Sequence, residues 1–362
     1  MSNYDLKICR SMWAIADPDY WKNYRDGGVC CIRKDGTLDE EAYISFLDKA
    51  ALYGADMTRV LPWMVNEDWT TINPIYMPWE FDAEKMKYDL EKFNPVYFDN
   101  LSKMAFLSSG RGIVLYFCFF DSCHGNRRNA PWNKDCNIQG VDSFYDESTV
   151  AVRMKEMWIQ EALKALSSYV LPDRKEIEAI GLVYGVSAAN EPNDKRFEST
   201  GLQVMKAAFS DRWKIPVQRI EVGARYSRIP FSGVDPVFQK FSLRLGKEGI
   251  RNNEKFFKRY AFFKVIHHVT PEFLRSYRHI QRHTSRFWIS DDGNHPKWTK
   301  EQWRDAVLNF LRSYPIKKNR AVDASCPFCF EALWGMDPGT EDAHLGIAEA
   351  FHQYSGVKKH RV

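Results

Sequence analysis

A chain of 362 residues, 44% hydrophobic and 27% charged, has material for a sizeable core, and its length suits one large barrel or two ordinary domains. Its 51 basic and 47 acidic side chains nearly cancel, to +4, which leaves no electrostatic footprint for nucleic acid; no stretch of about 18 apolar residues is present to span a membrane. The opening residues MSNYDLKICRS contain neither an apolar signal core nor a basic lead. The expectation is therefore a cytoplasmic chain, or one released by lysis, unless a leader has been removed.

Short apolar runs alternate with amphipathic stripes along the whole chain, and no Gly/Ser/Pro-rich linker divides it, so residues 1–362 are read as one domain. The runs taken as strands are Leu6 to Met12, Met57 to Trp63, Ile113 to Phe120, Ile180 to Ala188, Ile220 to Ala224, Phe262 to His268, Phe287 to Ser290 and Cys326 to Leu333. Several, IVLYFCFF at 113–120 above all, are apolar on both faces, as in parallel strands covered by helices. Helical stripes fall at Tyr43, Phe46, Leu47 and Ala50; at Leu101, Met104 and Ala105; at Ile159, Ala162, Leu163, Leu166 and Val170; and at Trp303, Ala306, Val307, Phe310 and Leu311. Eight strands alternating with about eight helices predict a closed (β/α)8 TIM barrel with long loops at the carboxyl ends of the strands. A doubly wound open sheet is the second choice, because no Gly-rich phosphate turn follows an early strand.

Two connections are long. Residues 64–94 carry Trp69, Tyr76 and Trp79, and residues 121–147 carry His124, Arg127, Arg128, Trp132 and Tyr145. Ordered long loops in a compact domain are usually functional, and these are candidates to wall a groove for an extended ligand. With 12 Trp and 17 Tyr, the chain has rings to spare for stacking on sugar faces.

The fourth apolar run ends in Asn190-Glu191-Pro192, and the seventh ends in Ser290-Asp291-Asp292-Gly293. In a barrel, strands four and seven lie on opposite sides of the mouth, so Glu191 and Asp291 would face each other across a substrate. Two such carboxyl groups are what glycoside hydrolysis requires: one protonates the leaving oxygen, and the other attacks the sugar carbon or activates water. Asp-Asp-Gly is also good turn chemistry, and Asp292 and Glu331 remain alternatives for the second carboxylate. Arg59, inside an apolar strand, needs a carboxylate partner. Cys326-Pro-Phe-Cys329 has a redox or zinc spacing, but it lies in an apolar run with no second pair nearby. Buried free thiols are expected, with no metal and no cofactor.

On these motifs the chain resembles the clan A glycoside hydrolases, and within them most resembles the family 5 cellulases, mannanases and related β-glycosidases. The resemblance implies a (β/α)8 barrel with Glu191 as acid/base, Asn190 holding the sugar 2-hydroxyl, and Arg59 in GADMTRVLPW holding the nucleophile's carboxylate. It also implies sugar contacts from His124 after the third strand and from Trp334, in FEALWGM, after the eighth. Two departures stand out. The seventh strand of these enzymes ends in Glu-x-Gly, where this chain has Asp291, shorter by one methylene. That shift of about 1 to 1.5 Å moves the pair from the roughly 5 to 5.5 Å of retaining enzymes toward the roughly 6.5 to 9.5 Å of inverting ones. The sixth strand lacks its usual Tyr and offers His267 or His268 instead; adjacent strand residues point to opposite faces, so one at most lines the mouth.

The function expected is hydrolysis of β-glycosidic bonds in an oligo- or polysaccharide, with Glu191 and Asp291 catalytic and Asn190, Arg59, His124, His267, His268, Trp132 and Trp334 binding substrate. The partner expected is a carbohydrate, with neither nucleic acid nor membrane. A catalytically weakened carbohydrate-binding barrel is the alternative. A Schiff-base enzyme ranks below both, because Lys264, in the middle of the sixth run, is its only candidate lysine.

Overall fold

The computed structural model describes residues 7–12, 31–52, 57–60, 62, 74–111, 113–120, 130–168, 184–187, 199–200, 203–204, 207, 220–221, 264–266, 287–290, 299–313, 328–332, 342, 345–346, 349–350 and 353. Eight of its strands form one sheet: β1 (Lys7–Met12), β2 (Met57–Val60), β5 (Val114–Cys118), β6 (Tyr184–Ser187), β7 (Ile220–Glu221), β8 (Lys264–Ile266), β9 (Phe287–Ser290) and β10 (Phe328–Ala332). Each lies within one of the eight apolar runs and is mostly shorter than it. A separate two-stranded sheet pairs β3 (Trp79–Asp82) with β4 (Lys87–Phe93). The longer helices are α1 (Glu40–Leu52), α2 (Pro95–Ser109), α3 (Thr149–Ser168) and α4 (Lys300–Ser313), which hold the four helical stripes apart from Val170.

The order across the large sheet is β7-β6-β5-β2-β1-β10-β9-β8, and every described pairing in it is parallel. From β1 through β2, β5 and β6 to β7 each step moves one place in the same direction, and so do the steps from β8 to β9 to β10. The last strand then lies beside the first, with Ile8 opposite Phe330 and Cys9 opposite Glu331. A doubly wound sheet reverses direction at a switch point, whereas this order has no reversal. Right-handed crossovers taken always in one direction put their helices on one face. Among the described residues the pairing of β7 with β8, which would close the sheet, does not appear.

The helices register on one another through buried polar contacts as well as apolar faces. Tyr43 of α1 and Ser108 of α2 share a hydrogen bond of 2.8 Å, and Ser102 of α2 donates to the Ala165 carbonyl of α3 at 2.8 Å. Buried Asn100 donates to the Gly36 carbonyl at 2.7 Å and accepts from Leu38 N at 2.8 Å, fixing the entry to α1. Asn94 caps α2: its Oδ1 accepts from Val96 N at 3.1 Å, and Pro95 supplies a first helical residue with no N–H to satisfy.

The hairpin β3–β4 corrects the expectation of an uninterrupted loop over residues 64–94. Its second strand alternates as strands do, with Tyr88 and Leu90 buried and Glu91 exposed. The turn is closed by Asp82, whose Oδ1 accepts from Glu84 N and Lys85 N at 3.0 Å each, while Met86 takes a positive φ of 53°. That turn contains neither glycine nor asparagine, so the usual hairpin signal is missing from the sequence.

Candidate active site

Parallel pairing places the carboxyl ends of all eight strands at one edge of the large sheet. Ser187 ends β6 four residues before Glu191, Ser290 ends β9 immediately before Asp291, Ile266 ends β8 immediately before His267, and Ala332 ends β10 two residues before Trp334. Asn190, Glu191, Asp291, His124, His267, His268 and Trp334 themselves lie outside the described residues, as do Trp69, Asp292, Arg127 and Arg128. Arg59 is the third residue of β2, one position before the strand's carboxyl end, opposite Ser11 on one side and Tyr116 on the other. Glu331, the alternative second carboxylate, is inside β10 opposite Ser290. Lys264 opens β8, opposite Phe287 at the start of β9, and so sits toward the amino end of its strand.

The chain leaving β2 and the chain leaving β5 build one structure. Tyr88 of the hairpin forms a parallel bridge with Asn137: Tyr88 N donates to the Cys136 carbonyl at 2.8 Å, and Ile138 N donates to the Tyr88 carbonyl at 2.9 Å. Gln139 completes the seam, its Oε1 accepting from Leu90 N at 2.9 Å and its Nε2 donating to Asp89 Oδ1 at 2.6 Å. At the hairpin's base, Asn94 Nδ2 donates to the Ile75 and Met77 carbonyls at 3.0 Å each. The described parts of the two long connections are therefore joined along one seam.

Aromatic rings fill the space behind this seam. Trp79 of the hairpin meets Trp132 edge to face at 5.6 Å and Trp158 of α3 at 5.1 Å, and Phe120, just past β5, meets Trp132 at 5.6 Å. The Trp158 indole donates to the Phe119 carbonyl at 2.9 Å, which ties α3 to the exit of β5. Trp132 has no exposed surface. The expectation that it stacks on a sugar is corrected by this burial, since a ring enclosed by Trp79 and Phe120 offers no face to a ligand and contributes packing. Trp79 and Tyr76 are buried in the same way.

Lys155 was not singled out from the sequence. It is fully buried on α3 and donates to the Asp146 carbonyl at 2.8 Å and to Thr200 Oγ1 at 3.1 Å. Thr200, also buried, donates in turn to the Phe144 carbonyl at 2.9 Å. The sequence did hold a signal: Lys155 is in phase with Ile159, Ala162 and Leu166 on the apolar stripe, and a charge there needs partners.

Electrostatics in this region follow from its hydrogen bonds. Burial alone would raise the Asp89 carboxyl, but bonds from Gln139 and Glu91 N, with Lys92, hold it below the usual range. Asp146 behaves likewise, with burial outweighed by Ser148 N, Asp142 N and the charge of Lys155. Burial drives the Tyr97 phenol far upward; it stays neutral and donates to the Pro62 carbonyl, just past β2. Cys31 and Cys118 are buried, and burial raises the thiol of the partly buried Cys136. Among the described residues no group of three or more His, Cys, Asp or Glu is placed to hold a metal ion, and no helix is long and apolar enough to cross a membrane.

No protein-family model matches the sequence, and no curated protein matches it significantly. Solved structures do match. A family 5 mannosidase from Rhizomucor miehei aligns over 99% of this chain and 95% of its own at 12% identity, with a TM-score of 0.50. An endo-1,4-β-mannanase from the same organism covers 94% and 95% at 10% identity and 0.48, and an endo-1,4-β-D-mannanase from Thermotoga petrophila covers 98% and 100% at 12% identity and 0.47. The chain thus resembles the family 5 glycoside hydrolases in fold along nearly its full length. At these identities the likeness is one of fold alone.

Proposed function

We propose that the chain is a glycoside hydrolase acting on β-linked glycans, a single catalytic domain whose parallel sheet closes into a (β/α)8 barrel between β7 and β8. Glu191 protonates the leaving oxygen, and Asp291, held by Arg59, is the nucleophile or the base. Asn190 binds the sugar hydroxyl beside the reacting carbon, His267 or His268 stands where a Tyr is usual, and His124 and Trp334 contact the sugar. The mechanism requires Glu191 to carry its proton at working pH and Asp291 to be ionised, the division of labour that two carboxyl groups in unlike surroundings provide.

The observation that carries this reading is the uninterrupted strand order, with β1 between β2 and β10. It brings the carboxyl ends of β6 and β9, the strands that precede Glu191 and Asp291, to one edge of one sheet, where barrel enzymes keep their chemistry.

Glu191→Gln tests it. On a panel of β-linked gluco- and manno-oligosaccharides, turnover should fall by roughly 10²-fold or more with folding intact, since general acid catalysis supplies about that much. Wild-type turnover in this variant would sink the assignment. The alternative, a carbohydrate-binding barrel, draws on the shortened Asp291 and the missing Tyr, and saturable glycan binding with every linkage left uncut would favour it.

A further inference from the structure

We propose that Lys155 and Thr200 are positioning residues, which pin the trailing end of the segment that carries Asn190 and Glu191. This rests on the reading of Glu191 as the acid.

Residues 188–198 run between two fixed points. The leading point is β6, whose last residue, Ser187, lies opposite Cys118 on one side and Glu221 on the other. The trailing point is built from side chains. Thr200 Oγ1 donates to the Phe144 carbonyl at 2.9 Å and accepts from Lys155 Nζ at 3.1 Å, while Lys155 Nζ also donates to the Asp146 carbonyl at 2.8 Å. Gln203 Nε2 adds a bond of 2.7 Å to the Val152 carbonyl. Lys155 and Thr200 both have no exposed surface.

The position of Lys155 is an expensive place for an ammonium group. It is buried with Met154, Trp158 and Ile159 on α3, where an aliphatic side chain would pack without a desolvation cost. What the ammonium provides, and an aliphatic group does not, is directed bonding to two different stretches of chain. One is the connection leaving β5, through Asp146; the other is the stretch that follows Glu191, through Thr200. Fixing both ends of a segment limits the positions open to the residues between them, and catalysis is sensitive to displacements of about 1 Å.

Thr200→Val keeps the volume and deletes the hydroxyl, whereas Thr200→Ser keeps the hydroxyl. Hydrogen exchange of peptides covering 188–198 should quicken about tenfold or more in Thr200→Val and stay near wild type in Thr200→Ser. Unchanged exchange in a Thr200→Val protein with native near-UV circular dichroism overturns the inference, whatever the activity. Should Thr200→Val fail to fold, Gln203→Met removes only the half-buried fourth bond; it should quicken the same peptides to a smaller extent, and no change there overturns the inference equally.

A second readout uses aryl β-glycosides of graded leaving group. A displaced acid should slow poor leaving groups about tenfold more than 2,4-dinitrophenolate, which needs no proton. Equal slowing across the series overturns the positioning role. A wild-type protein that cleaves none of the series defeats the hydrolase reading instead, and exchange alone then decides whether the Lys155–Thr200 node holds this segment.

Discussion

Asn137 and Val141 hold each other from both ends of the Asn137 side chain: Val141 N donates to its Oδ1 at 2.8 Å, and its Nδ2 donates back to the Val141 carbonyl at 2.9 Å. The same Nδ2 reaches the carbonyls of Pro131 at 3.1 Å and Asn133 at 2.7 Å. One buried amide thereby organises the connection that carries Trp132 and bridges to the hairpin. Asn137→Ala should destabilise the protein by about 2–4 kcal/mol, because it strands several buried backbone groups at once. Urea unfolding measures this, and a loss under about 0.5 kcal/mol would show that water replaces the amide.

Trp132 and Trp158 are both fully buried, but only the Trp158 indole is bonded, to the Phe119 carbonyl; among the described residues the Trp132 indole N–H has no acceptor. Replacement by Phe removes similar ring area at each site. Trp158→Phe additionally strands a carbonyl, whereas Trp132→Phe removes an orphaned donor. The first should therefore cost more than the second by about 1–3 kcal/mol in denaturant unfolding. Equal losses would contradict this assignment of the two nitrogens.

Asp89 and Asp146 both have folded-state pKa values below the ordinary Asp value. A carboxyl depressed by folding contributes stability above its unfolded pKa, about 3.9, and that contribution is lost as pH falls through the lower folded value. The hairpin–loop seam at Asp89 and the turn at Asp146 should thus both weaken progressively below about pH 4. Asp89→Asn removes one of these titrations, so its stability should fall less steeply over that range. Urea midpoints from pH 5 down to pH 2 provide the comparison, and parallel curves would exclude Asp89 as a contributor.

Gly346 lies against the start of α4. A Cβ there would collide with the Lys300 carbonyl and would meet Trp303 Cβ at 2.7 Å and Arg304 N at 2.9 Å. Two of the three obstacles are backbone, which cannot rotate aside. Gly346→Ala should therefore push the chain around 346 off α4, weakening the ion pairs of Glu349 with Lys300 and Arg304. The expected cost is about 1–3 kcal/mol, read as a lower melting temperature. An unchanged melting temperature would mean that α4 shifts freely.

The anomer formed first tests the length of Asp291. If the missing methylene widens the carboxyl pair, NMR of the first product should show inversion. A retained anomer would place Asp291, or its alternatives Asp292 and Glu331, within nucleophilic reach.

The sequence by itself determined the number, order and location of the eight parallel strands and the four main helical faces. Strands buried on both sides read as apolar runs such as 113–120, and one-faced helices read as stripes such as Trp303 to Leu311; each is a local pattern of the chain. It also placed Glu191 and Asp291 just past strand ends, which is a matter of position along the chain. The tertiary structure alone decided the register in which β1 pairs with β10, the seam of Tyr88 with Cys136 and Ile138 and of Leu90 and Asp89 with Gln139, the burial of Trp132, and the use made of Lys155. Most of those features depend on partners far along the chain, such as Gln139 for Leu90 at a separation of 49 residues and Thr200 for Lys155 at 45, and no local pattern states which distant carbonyl or hydroxyl a side chain will meet. A tryptophan in a long loop reads the same whether it faces a sugar or, like Trp132, a neighbouring ring; only packing against Trp79 and Phe120 separates the two.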